Sequence, residues 1–146
     1  MLIGTYQRTL DAKMRFTLPA ELRKELGDKV VLVTLRDALY GFTPEGFDAW
    51  VESQFDRDDK HYNSRDLNDV RLMRILTASA TPMDLDAAGR VSLSKVGANK
   101  LQRYGIEKNV TVLGTGDHFE VWSTEKWEEE NAVLEDDLFD LMFNTK

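Results

Sequence analysis

The chain has 146 residues, 42% of them hydrophobic, and a net charge of −7, which suffices for one compact domain or two small packed halves and excludes a large multidomain enzyme. It holds no cysteine and only two histidines, His61 and His118, so disulfides, thiolate nucleophiles and Cys-based zinc sites are excluded and neither a metal nor a cofactor is expected. No apolar run approaches the roughly 18 residues of a membrane helix, and no basic-then-apolar leader opens the chain, so the expectation is a soluble, cytoplasmic protein without membrane contact.

In chain order, residues 3–10 are strand-prone and run into the turn Leu10-Asp11-Ala12-Lys13-Met14-Arg15, after which a short strand is expected. An Asp at the first turn position can accept the turn's backbone amides. Pro19 suits a first helical position ahead of residues 20–26, and Gly27 is a stop. Residues 30–35 and 39–42 read as a hairpin turning at Asp37, and Thr43-Pro44 caps a helix whose Phe47, Trp50, Val51 and Phe55 fall on helical spacing. Residues 56–63 form a polar linker, and residues 64–80, with Leu67, Val70, Met73 and Leu76, predict a connecting helix. The same series then returns. Residues 81–85 are strand-prone and lead into Leu85-Asp86-Ala87-Ala88-Gly89-Arg90. A helix is expected over 95–104 and stops at Gly105. A second hairpin follows over 110–113 and 119–122, turning at Gly116-Asp117. The last helix is capped by Ser123 and carries Trp127, Val133 or Leu134, Leu138, Leu141 and Met142.

The recurrence is a duplication. Residues 10–18 and 85–93 share five of nine positions, and Val30, Asp37, Phe42 and Glu45 find Val110, Asp117, Trp122 and Glu125 at a common later offset. The predicted organisation is therefore a first half over 1–55, a linker and connecting helix over 56–80, and a second half over 81–146 ending in an acidic helix. Neither half could bury its apolar face alone, so an α+β chain with a single pseudo-symmetric, β-barrel-like core is expected. The aromatic helices also predict a ring-like homo-oligomer, with Phe47, Trp50, Phe55, Trp127 and Leu138 divided between subunit contacts and internal core in a way the sequence leaves open.

Charge is unevenly distributed along this plan. Residues 1–36 hold seven basic side chains against four acidic ones, whereas residues 117–146 hold ten acidic side chains against Lys126 and Lys146. The front is basic and the tail acidic, so the overall charge does not exclude a polyanionic partner. The candidate functional residues are Arg15 and Arg90, because a planar guanidinium on a projecting hairpin can grip guanine O6 and N7 together, or a phosphate. A bland alternative is that Asp11–Arg15 and Asp86–Arg90 merely hold their own turns. Asp11, Asp86 and Gly89 are read as turn-shaping in either case, Gly89 supplying a positive φ that Met14 does not suit.

Other patterns carry less. His118-Phe119-Glu120 matches the first part of a zinc-deaminase signature, which a cysteine-free chain cannot complete. Asp84 and Asp86 lie two apart on a strand with no nucleophile beside them, and Trp50, Trp122 and Trp127 suit packing better than base stacking. No constellation of nucleophile, base and orienting group is present, so an enzyme is not expected.

The paired Leu-Asp-Ala turns, the Leu18-Pro19-Ala20 start of a helix and Phe119-Glu120-Val121-Trp122-Ser123 together resemble the MraZ family, over nearly the whole chain. The resemblance implies a duplicated AbrB/MazE-like swapped-hairpin β-barrel with flanking helices. It implies a bacterial, nucleoid-associated transcriptional regulator of the division and cell-wall gene cluster and of its own operon. The implied partners are double-stranded DNA, bound at short G-rich direct repeats in the promoter, and further copies of the chain in a ring. Carried onto this sequence, the DNA-binding residues are Arg15 and Arg90, with Lys13 an additional cation in the first turn. Two positions depart from the family pattern, Met14 in place of glycine and Ser94-Lys95 in place of a proline. A second function class, an AbrB-like oligomeric scaffold that binds a protein and not DNA, is compatible with the acidic balance.

Overall fold

A computed structural model describes residues 1–143, so the last three residues of the expected second half lie outside the described residues. The first half contributes β1 (Leu2–Thr9), β2 (Arg15–Thr17), α1 (Ala20–Leu26), β3 (Lys29–Thr34), β4 (Leu39–Phe42) and α2 (Pro44–Ser53). The connecting helix is α3 (Leu67–Ala78). After it come β5 (Thr81–Asp84), β6 (Arg90–Ser92), a 3₁₀ turn (Leu93–Lys95), α4 (Ala98–Arg103), β7 (Asn109–Gly116), β8 (Phe119–Ser123) and α5 (Thr124–Phe143).

Local chemistry explains most of these boundaries. Thr43 accepts the Gly46 amide at 2.9 Å and Asp66 accepts that of Asn68 at 2.8 Å, so both helices start where a side chain satisfies an orphan N–H. Ser123 Oγ does the same for Lys126 N at 3.1 Å. Pro19 occupies the cap of α1 and not its first turn. The helix expected over 95–104 is split, because Gly97 takes φ 109° between the 3₁₀ turn and α4.

All sheet pairings are antiparallel, and six strands run in the order β1-β7-β8-β4-β3-β5 while β2 and β6 form a separate two-stranded ribbon. Exchanging the halves reverses the six-strand order onto itself, so a pseudo-two-fold axis passes between β4 and β8 and also relates β2 to β6. The first strand of each half pairs with the other half: β1 lies on β7 with Leu2 opposite Gly116, and β5 lies on β3 with Lys29 opposite Asp84. One core follows from this exchange. Phe16, Leu18, Leu22, Val30 and Leu39 of the first half pack with Val91, Leu93, Ile106, Val110 and Phe119 of the second, and burying each such side chain stabilises the fold by about 1.5–3 kcal/mol.

The expected barrel does not form. The sheet stays open, with β1 and β5 as its edges. Both edge strands end where the chain enters the Asp turns, and β5 is short and carries Pro82, which lacks an amide proton. The chain is therefore mixed α+β with an open antiparallel sheet. The structure sorts the candidate contacts of the aromatic helices by their packing within the chain. Phe47, Trp50 and Phe55 pack with Val51, Met73 and Leu76 between α2 and α3, and Trp127 meets Trp122 edge-on with ring centroids 5.5 Å apart. Leu138, by contrast, is 58% exposed on α5, none of whose residues is buried. No helix of the described residues is long and apolar enough to cross a membrane.

Candidate nucleic-acid interface

The two repeated turns come together at the pseudo-two-fold axis. In the β2–β6 ribbon Phe16 faces Val91, both fully buried, while the flanking pairs are Arg15 with Ser92 and Thr17 with Arg90. Side chains alternate along a strand, so burying Phe16 and Val91 in the core turns Arg15 and Arg90 to the outer face. Each turn is then locked by the opposite half: Leu18 N donates to Gly89 O and Leu93 N donates to Met14 O, both at 2.9 Å. A short sequence motif thus becomes a rigid pair of loops.

Within each turn the aspartate does two tasks. Asp11 Oδ1 accepts the amides of Lys13 and Arg15 at 2.9 Å, and Oδ2 accepts Arg15 Nε at 2.9 Å. Asp86 repeats the arrangement, with the amides of Ala88 at 3.0 Å and Arg90 at 2.9 Å on Oδ1 and Arg90 Nε at 2.6 Å on Oδ2. Arg15 Nη1 also comes within 3.9 Å of Asp86 Oδ2, so the two turns are electrostatically joined. The Arg15 backbone amide, followed by its guanidinium, holds the Asp11 carboxyl below the usual carboxylate range despite some desolvation, and Arg90 acts likewise on Asp86. Ionised aspartates therefore shape the loops and aim the arginines. Because each turn's own aspartate takes Nε, the Nη nitrogens are the ones a fork can offer a ligand, Arg15 Nη1 being shared with Asp86 at 3.9 Å.

Met14 and Gly89 occupy the same turn position with φ 59° and 75°. The sequence expectation that Met14 does not suit this geometry is corrected: it adopts the left-handed conformation, and its side chain packs against the core beside a cleft lined by Leu101, Gln102 and Ile106. Lys13 and Ala88 occupy equivalent exposed positions at the loop tips. All six sequence-predicted residues, Asp11, Lys13, Arg15, Asp86, Gly89 and Arg90, are thus collected on the two adjacent turns.

Sequence reasoning missed two neighbouring arginines. Arg8 on β1 donates from Nε to Thr17 O at 3.1 Å, joining the edge strand to β2, and Arg23 on α1 lies against Gly89. Neither belongs to the repeated motif, so nothing in the sequence pattern marked them. Further off, His118 was read only as a fragment of a zinc signature. Among the described residues no group of three His, Asp or Glu side chains is placed to hold a metal ion. His118 instead stacks on Tyr40 with centroids 4.4 Å apart and bonds Asp117 Oδ1 at 2.7 Å and Glu120 Oε2 at 2.9 Å, while Trp122 Nε1 donates to Glu120 Oε1 at 2.9 Å. Burial pushes the imidazole pKa down, but the two carboxylates more than reverse it and raise it above 6.5.

Comparison with known proteins follows the same two-part plan. The family model of the MraZ protein matches residues 1–68 and 76–141. A protein named transcriptional regulator MraZ from Mycoplasma capricolum is 34% identical over 92% of this chain and 96% of its own length. Relatives of the same name from Oenococcus oeni and Corynebacterium urealyticum are 33% and 34% identical, covering 90% and 94% of this chain and 87% and 91% of their own lengths. With both halves matched and the duplicated turns at the axis of the fold, the chain belongs to the MraZ family.

Proposed function

We propose that the chain is a sequence-specific transcriptional regulator that binds double-stranded DNA through the paired turns, with Arg15 and Arg90 as the base-reading residues and Lys13 as a phosphate contact. The observation that carries the reading is the juxtaposition of the two Asp-held arginines on the outer face of one ribbon, with Arg15 Nη1 3.9 Å from Asp86 Oδ2 across the axis. An aspartate that fixes Nε pre-pays the ordering of a flexible side chain, which is what a bidentate guanine contact needs. In this reading the halves over 1–55 and 81–146 are AbrB-like units whose first strands are exchanged, and 56–80 joins them. The regulator acts in the cytoplasm at the nucleoid, as a ring of copies on G-rich direct repeats upstream of the division and cell-wall cluster and of its own gene. The family name shared by the relatives supports regulation and not catalysis.

The test is the affinity of Arg15→Ala and Arg90→Ala for a duplex carrying the region upstream of the chain's own gene, beside a scrambled duplex. Each variant is expected to lose about 1–3 kcal/mol of discrimination per engaged site. Wild-type affinity for the specific duplex in both variants, with unchanged melting, refutes the assignment. Failure of the unaltered protein to bind any duplex would leave the protein-binding scaffold as the better account.

A further inference from the structure

The two turns are geometrically equivalent but unequal in charge. Lys13 stands exposed beside Met14 in the first, and the uncharged Ala88 stands at the same place beside Gly89 in the second. We infer that Arg23, which belongs to α1 of the first half, is the phosphate-binding cation of the second turn; the inference rests on the DNA-binding reading above.

Three observations carry it. A Cβ built on Gly89 would lie 2.6 Å from Arg23 Nη1, 2.9 Å from Cζ and 3.0 Å from Cδ, so the guanidinium rests directly on the glycine. The backbone that carries it is fixed, since Leu18 N is hydrogen-bonded to Gly89 O just before α1 and Arg23 N to Pro19 O at 2.9 Å. Its competing partner is weak: Asp28 Oδ1 is 3.4 Å away on a side chain 78% exposed, where solvent screens the pair. The opposite turn is flanked differently. Met14 shares its cleft with Leu101 and Gln102 of α4, neither of them a cation. At the loop tips, Lys13 is therefore built into the first turn and Arg23 is laid onto the second by the other half, while Arg8 of β1 is bonded farther along β2, on Thr17 O. Glycine at position 89 then serves twice, allowing the positive φ and leaving room for the guanidinium above it.

A phosphate contact lacks sequence information, and this gives the inference a signature that Arg15 and Arg90 do not share. Binding of a labelled duplex from upstream of the chain's own gene and of a scrambled duplex is measured over a salt series for wild type, Arg23→Gln and Arg23→Gln combined with Ala88→Lys. Arg23→Gln is expected to weaken both duplexes by a similar factor. It should also lower the slope of log affinity against log salt by about 0.9 for each subunit engaged. Ala88→Lys, which puts in the second turn the cation that Lys13 puts in the first, should restore both. Affinity and slope equal to wild type in Arg23→Gln overturn the inference while leaving the DNA reading intact. So does a lowered melting temperature with no rescue by Ala88→Lys, which would make Arg23 a support for α1. Wild type binding neither duplex removes the DNA reading and the inference with it.

Discussion

Replacing Met14 tests whether the first turn holds in solution the left-handed conformation that its sequence disfavours. At φ 59° a side chain bearing a Cβ costs about 1–2 kcal/mol relative to the right-handed region, a cost that glycine escapes. Against this stands the packing of the half-buried Met14 side chain on the core, about half of the 1.5–3 kcal/mol of a fully buried methionine, or roughly 1 kcal/mol. Met14→Gly gives up the packing and gains the relief, so its stability should lie within about 0.5 kcal/mol of wild type. Met14→Ala gives up the packing and keeps the strain, and should lose about 1 kcal/mol. The alanine variant is then expected to melt roughly 3–4 °C below the glycine variant, measured by calorimetry or circular dichroism. The comparison cancels the common loss of the thioether and isolates the backbone. If the two variants melt together, or if glycine is the less stable, Met14 does not sit at positive φ and the equivalence of the two turns is refuted.

The other expectations concern titration and packing. Asp11 and Asp86 have depressed pKa values, so the stability they contribute is present above the unfolded value of 3.8 and is lost as pH falls through the lower folded values; carboxylate NMR titrations should place both midpoints below 3.8, and midpoints at or above it would show that the turns are not held as described. His118 has a raised pKa, so its contribution is fully present below 6.5 and is lost as pH rises through the folded value; wild type should lose thermal stability over that rise relative to His118→Gln, and parallel profiles would remove the Asp117–His118–Glu120 pairing. Gly41→Ala would drive a methyl group into the Phe119 ring at the centre of the sheet and should destabilise by about 1–3 kcal/mol in denaturant unfolding; a neutral result would mean that β4 and β8 do not pack as tightly as the structure has them.

What was legible in the sequence was local. The Asp turns, the Thr43 cap, the hairpins and the helical spacing around Trp50 all depend on neighbours a few residues away, and each appears near its expected place. Strand order was less accessible, because β1 on β7 and β5 on β3 are chosen by which apolar faces complete a common core between segments far apart in the chain. The expectation of a closed barrel failed for a related reason: closure depends on strand order, and that order leaves β1 and β5 at opposite edges of an open sheet. Met14 was misjudged because local propensity disfavours it, whereas the Leu93 amide on its carbonyl and the core beneath its side chain override that preference. His118 shows the converse error. A residue dismissed because one motif was incomplete holds a half-buried stack and two carboxylates whose positions only the fold brings together.

The imperfect equivalence of the two turns bears on the kind of site the molecule can read. An ideal two-fold axis between β2 and β6 would present identical arginine loops in opposite directions, and such a surface is satisfied best by a palindrome. Here Lys13 and Met14 face Ala88 and Gly89 across the axis, and Arg23 lies on only one side. On the proposed DNA-binding reading the surface consequently has a polarity along the duplex: the backbone symmetry repeats the arginine loop, while the side chains make one turn chemically different from the other. A polar subunit repeated by rotation around a ring would meet successive boxes in the same orientation, which is the physical sense in which the proposed direct repeats suit this chain. Restoring the symmetry tests that link. Met14→Gly with Lys13→Ala makes the first loop tip match the second and removes its extra cation, so the preference for direct over inverted boxes should shrink while both arginines remain. An unchanged preference in that variant would place the polarity in how the copies assemble and not in the turns.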